Sequence, residues 1–232
     1  MYAVVDAMYK LALELGVEFH FTEKVNGILV QGNKAKTVST DKDYYRVDAI
    51  ISGADYHFTE TKLLPDECRS YSDKFWSRKI MAPSCLLYYV GLNKKLKQGV
   101  HHSLFFDVPF ERHGEEIYKS PQWPTEPLFY VSVSSITDTT TAPAGCENLV
   151  FLVPVASGLE GDAVIYRKSY SVSDFVVDYN SFKGNAYGLA NTLMQTAIFR
   201  PACQSKKIKN LFYTGQLTVP GPGVPPSLIS GE

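Results

Sequence analysis

Apolar residues recur at helical spacing at the start of the chain: Met1, Val4, Val5, Met8, Leu11, Ala12 and Leu15 predict an amphipathic helix, which Gly16 is placed to end. A surface helix with no cap ahead of it reads as the beginning of a piece of a longer protein. The period then changes to two. Val17, Phe19 and Phe21 alternate with Glu18, His20 and Thr22, which predicts a half-buried strand with His20 facing water or a polar neighbour. Residues 25–30, a turn over 31–34 and residues 35–40 predict a β-hairpin, with a further strand over 44–47. Residues 49–52 form a short, continuously apolar strand that closes on Gly53-Ala54-Asp55. Small residues there suit either a plain turn or a backbone against which a nucleotide can lie.

A helix capped by Ser72 is predicted over 71–79, and strands over 84–92, 100–106, 128–134 and 148–155, with a polar helical stretch over 112–119. Strands of this number, separated by long polar connections, predict a sheet with one face covered and the other forming a wall. His101 and His102, adjacent on a strand, should point to opposite faces and so cannot share one metal ion. Ser173 is placed to cap a helix through 174–179, and Leu193, Met194, Ala197 and Ile198 carry an apolar face toward Phe199. Near the end, 211–214 read as a buried strand stopping at Gly215. A loop containing Gly221 and Gly223, stiffened by prolines, leads into a helix from Val224 whose free N–H groups would face that loop.

Composition narrows the class. The 232 residues are 45% hydrophobic and 20% charged with net charge −1, ordinary globular material with no basic field for nucleic acid. No window approaches the roughly 18 apolar residues of a membrane span. The four cysteines, Cys68, Cys85, Cys146 and Cys203, are widely spaced, which fits a reducing compartment and argues against zinc or a disulfide framework. Gly-x-Ser-x-Gly, Walker and His-Glu-x-x-His patterns do not occur.

Tyr213-Thr214-Gly215-Gln216 followed by Pro220-Gly221-Pro222-Gly223-Val224-Pro225 resembles the C-terminal flavin-contacting signature of carotenoid desaturases of the bacterial phytoene desaturase type. The similarity continues in order through Val25-Asn26-Gly27-Ile28, Val47 to Asp55, Gly91-Leu92-Asn93, His101-His102, Ala142 to Leu149 and Leu152-Val153-Pro154. The resemblance implies an α+β chain that forms part of an FAD-dependent, amine-oxidase-like flavoprotein. Residues 1–65 would belong to the FAD-binding domain with a hairpin insertion, 66–185 would form a mixed-sheet substrate domain, and 186–232 would return to the FAD-binding domain. It places Gly215, Gln216, Gly221, Gly223, Val224 and Pro225 in the flavin loop, and Val25 and Ala54 along the adenosine.

The implied reaction is dehydrogenation of phytoene or a related carotene, with hydride transfer to flavin. The aromatic and methionine residues near 182–199 would suit either a core or a tunnel for a polyene. No general base is assigned; Tyr187, Glu147 and His101 are candidates only by residue type. The pyrophosphate-binding Gly-x-Gly-x-x-Gly, which the family keeps near its N-terminus, is absent, so the chain is expected to be a C-terminal part that does not retain FAD without its other half. The expected setting is cytoplasmic, peripheral to the inner face of the cell membrane. Another flavin oxidase of the same architecture, acting on amines or porphyrinogens, and a nonenzymatic carotenoid-binding module are the alternatives. Finally, the family carries an additional polar, largely helical segment where this chain has only the junction around Gly158 and Gly161; either the helix is lost or residues are missing between the two pieces.

Overall fold

In the computed structural model, residues 2–159 and 169–231 are described. Helix α1 (Tyr2–Glu14) ends where Gly16 takes φ +83°. Its apolar residues Val4, Met8 and Leu11 stay exposed, and no residue of the helix is buried. Residues 17–22 do not form the predicted strand. A strand needs a ladder partner, and no described strand pairs with this segment. Instead Phe19 and Phe21 turn back onto Tyr9, with the Tyr9 and Phe19 ring centroids 4.6 Å apart. His20 does meet a polar neighbour, the Tyr45 hydroxyl at 3.1 Å.

The hairpin forms as β1 (Val25–Gln31) and β2 (Lys34–Thr40), joined through Gly32 and Asn33, both at positive φ. Two such residues give the turn twist that antiparallel strands require. Strand β3 (Tyr44–Arg46) extends this sheet from β2. Strand β4 (Ile50–Ser52) leaves it, and a short helix α2 (Tyr56–Phe58) runs on into a wide π turn, Thr59–Leu63.

Glu60 in that turn is fully buried, and its carboxylate accepts from the backbone N–H of Ser70 at 2.7 Å, that of Tyr71 at 3.1 Å and the Tyr213 hydroxyl at 3.3 Å. An amide at this position would turn an NH2 toward groups that are themselves donors. Glu60→Gln is therefore expected to destabilise the chain by about 2 kcal/mol, measured as a lower urea midpoint with unchanged slope; an unchanged midpoint would contradict the role given to this carboxylate. Helix α3 (Asp73–Ser77) follows, capped by Ser72 as predicted, and sinks Trp76 into the core. That core joins Ile28 and Ala35 of the hairpin to Tyr56, Leu63, Trp76 and Tyr213.

The second sheet uses β5 (Ser84–Leu92), β6 (His102–Phe105), β7 (Phe129–Ser132), β8 (Glu147–Val155) and β9 (Ser169–Tyr170), with α4 (Phe110–Tyr118) between β6 and β7. The strands lie in the order β6-β7-β8-β5-β9 and every pairing is antiparallel. His101 falls just outside β6, so strict alternation does not apply to it. Its ring stacks on that of His102 at 4.0 Å, contrary to the predicted opposite faces. Among the described residues no cluster of side chains could hold a metal ion. The short junction singled out in the sequence falls largely within residues 160–168, outside the described residues.

Helix α5 (Val172–Tyr179) starts from Ser171 rather than Ser173, because the Asp174 carboxylate reaches back to the Ser171 N–H at 2.7 Å. Residues 193–199 make two 3-10 turns, Leu193–Gln195 and Ala197–Phe199, instead of one helical face. Ala197, the first residue of the second turn, takes φ +45°, and Leu193 and Ile198 are left 90% and 87% exposed. Strand β10 (Leu211–Tyr213) then pairs with β4, in parallel, and α6 (Val224–Ser230) closes the described chain. Helices set between two antiparallel sheets and one short parallel pair make the fold α+β.

Candidate cofactor site

Tyr213 of β10 lies opposite Ser52 of β4, so both strands of the parallel pair deliver their carboxyl ends to one edge. Crevices outside the carboxyl ends of parallel strands are where α/β sheets receive ligands. A cleft of about 600 Å3 opens there, lined among others by Ala54, Asp55, Asp178, Asn185, Gln216 and Ser227. Gly215 takes φ +107°, and a Cβ on it would meet nothing within 4 Å, so its backbone faces open space. Asp55 accepts from the backbone N–H of Phe58 and of Phe182, each at 3.0 Å, which ties the β4 loop to the segment after α5. Burial pushes its carboxyl above the usual range, against the pull of those N–H bonds.

The Gln216 wall is held from several sides. Its side-chain amide donates to Asn185 Oδ1 at 2.9 Å, and the same Oδ1 accepts from the Gly188 N–H at 2.7 Å. Its carbonyl accepts from Arg200 Nη1 at 3.2 Å. Gly221 lies against the Arg200 guanidinium, since a Cβ there would sit 3.2 Å from both Cζ and Nε. These residues carry no sequence pattern of their own, although a charged residue between Phe199 and Pro201 in an apolar run is a signal that could have drawn attention to Arg200.

Helix α6 begins where predicted, with Gly223 as its cap at φ +115° and Val224 and Pro225 as its first residues. Its start is poor in donors, however. Pro225 and Pro226 have no N–H and the Ser227 N–H is taken by the Gly223 carbonyl at 2.9 Å, so the first turn retains only that of Val224. The strand end is met instead by the serine face of the helix. Ser230 Oγ accepts from the Gly215 N–H at 3.0 Å and shares a hydrogen bond of 2.7 Å with Thr214.

Val25 lies in a neighbouring cleft of about 460 Å3 with Asn26, His57, Lys62 and Phe182. The two clefts share Ser181. Ala54, Gly215 and Gln216 are thus brought together in one wall, Val25 stands in the adjoining cleft, and Gly221, Gly223, Val224 and Pro225 lie outside both linings. Of the base candidates, Glu147 hydrogen-bonds Ser135, which holds its carboxyl below the usual range. His101 bonds Thr137 at 2.7 Å, and Tyr187 lines a different pocket beside Leu189. None lines either cleft.

His57 stacks on Phe182 at 3.9 Å, and burial depresses its pKa from 6.5 to about 4. The unfolded chain then binds the proton more readily than the folded one between these values, so stability falls as pH drops from 6.5 toward 4. Urea titrations at several pH values should show that slope and should show less of it in His57→Gln; an identical slope in the variant would remove His57 as its source.

An extended ligand with one end in each cleft suits this arrangement. The residues present are compatible with FAD: an open glycine backbone at the larger cleft, small residues at the β4 end, and a second cleft that shares Ser181 with it.

No protein-family model matches the chain. Over 99% of its length it is 37% identical to the carotenoid 3,4-desaturase of Haloarcula japonica. Over its whole length it is 29% identical to the zeta-carotene-forming phytoene desaturase of Myxococcus xanthus. The chain belongs to the carotenoid desaturases. It spans about half the length of these curated relatives, 52% and 50% respectively. The Haloarcula desaturase alignment runs over 257 residues against 232 here, so that relative carries residues between the matched ends which this chain lacks. An oxidoreductase from Methanosarcina mazei shares the fold, with a TM-score of 0.57 at 14% identity over 98% of this chain and 53% of that structure.

Proposed function

We propose that the complete protein is an FAD-dependent desaturase acting on phytoene or a related carotene. The observation that carries this reading is similarity along the whole chain to carotenoid desaturases, joined to a cleft at the ends of the parallel pair. Bound FAD would supply the acceptor for a hydride from an allylic or unactivated carbon, while a proton leaves the neighbouring carbon. Ala54, Gly215 and Gln216 would form the wall on the flavin side and Val25 the adenosine side. Gly221, Gly223, Val224 and Pro225 would hold the loop and α6 behind that wall. Residues 1–65 and 186–232 would serve the cofactor, and 66–185 the substrate.

An apolar cleft of about 290 Å3 between α4 and the second sheet, lined by Leu104, Phe105, Phe110, Ile117, Phe129 and Pro154, supports contact with a polyene or the lipid that dissolves it. No helix among the described residues is long and apolar enough to cross a membrane. The proposed setting is cytoplasmic, with this apolar cleft turned to the inner face of the cell membrane. The relatives are named for different steps on the carotenoid skeleton, so the reading extends to the polyene class and not to one position. The test is to incubate the complete protein with FAD and phytoene-loaded liposomes, following new conjugated double bonds by absorbance and bound protein by sedimentation. Absence of both under all salt conditions would reject the proposal.

A further inference from the structure

Arg200 is 4% exposed, yet no described carboxylate lies within 4.0 Å of it. Among the described residues its guanidinium makes three hydrogen bonds, all to neutral oxygens: Gln216 O at 3.2 Å, Leu189 O at 3.1 Å and Asn191 Oδ1 at 2.8 Å. Isolated buried charges are costly and are ordinarily paired, whereas neutral carbonyls satisfy the N–H groups of this guanidinium without cancelling its charge. Its position gives the exception a purpose. One face of the guanidinium lies against Gly221 and one edge holds the carbonyl of Gln216, which lines the larger cleft. Two carboxylates, Asp55 and Asp178, line the same cleft and disfavour any anion in it. The first turn of α6, with prolines at 225 and 226, has little positive end to offset them.

We propose that Arg200 is a positioning residue whose uncancelled charge, set behind the Gln216 to Gly221 loop, favours the negative charge that a flavin bound there acquires on reduction. The proposal rests on the flavin reading of the cleft. Asn185 and Gly188 complete the device: together with Arg200 they fix the Gln216 peptide, so that the charge acts from a constant position.

The test uses the complete protein and the potential of its bound flavin. Arg200→Gln removes the charge while leaving an amide donor for the loop, and should lower the preference for reduced over oxidised flavin at least tenfold. For a two-electron couple that is a potential about 30 mV more negative. Arg200→Lys keeps the charge and loses the planar fork, so it should shift thermal stability while holding the potential near that of the parent. A purely structural role would move both variants alike. A parent-like potential in Arg200→Gln, or equal shifts in the two variants, overturns the proposal. Should Arg200→Gln not fold, the ionisation of the reduced flavin in the parent decides: it should fall at least one pH unit below that of free reduced FAD in the same buffer, and an equal or higher value refutes the proposal. Parent protein that binds no flavin would instead reject the flavin reading itself, and this inference with it.

Discussion

Expressed without its other half and passed through a desalting column, this 232-residue chain is expected to emerge without flavin, whereas the complete protein should emerge with it. On the proposed reading the clefts beside Gly215 and Val25 would wall the two ends of FAD, but the chain contains no Gly-x-Gly-x-x-Gly turn to surround the pyrophosphate with backbone N–H groups. Losing those contacts should cost about 3–4 kcal/mol, or roughly two to three decades of affinity. Visible absorbance of the eluate reads the outcome directly. Stoichiometric flavin surviving on the isolated chain would mean that the pyrophosphate is held by groups other than those the family motif supplies.

Gly188→Ala should be strongly damaging. The residue sits at φ +79°, and an added Cβ would come within 2.5 Å of the Gln216 carbonyl oxygen, a backbone atom already bonded to Arg200. Left-handed backbone strain and overpacking together amount to about 4 kcal/mol. For a chain of this size that lowers Tm by roughly 8–16 °C. Gly91→Ala is the control: it lies in β5 at an ordinary φ with nothing within 4 Å of its added Cβ, and it should leave Tm nearly unchanged. Equal Tm values for the two variants would show that the Gly188 approach does not constrain the loop.

The elements that were legible in the sequence are those set by neighbours along the chain. The Gly32-Asn33 turn, the nine-residue apolar β5 and the Ser72 cap each follow from a few adjacent residues. Residues 17–22 alternate as a strand should, yet alternation does not provide an edge to pair with, and none of the described edges runs there. At the cleft, small residues at strand ends marked Ala54 and Gly215. Asp55, Asn185 and Arg200 escaped notice because their partners are remote and mostly main chain: Asp55 binds the N–H of Phe182, 127 residues away, and Arg200 is held by carbonyl oxygens that any residue could supply. The cap of α5 was misplaced at Ser173, since the reach of Asp174 back to the Ser171 N–H sets it two residues earlier.

The pairing of β4 with β10 has a consequence for how the protein is made. Asn210, just ahead of β10, bonds to Asp48 across 162 residues and to Ala35 across 175, so the cleft has no far wall until nearly the whole chain exists. At translation rates of about 5–20 residues per second, β4 waits roughly 10–30 s without the one described strand that pairs with it. Contacts of such long separation form late and leave strand edges available to other chains meanwhile. A message that stops before Leu211 would therefore release a polypeptide carrying a permanent sticky edge, and a cell making this protein has reason to complete every copy it begins.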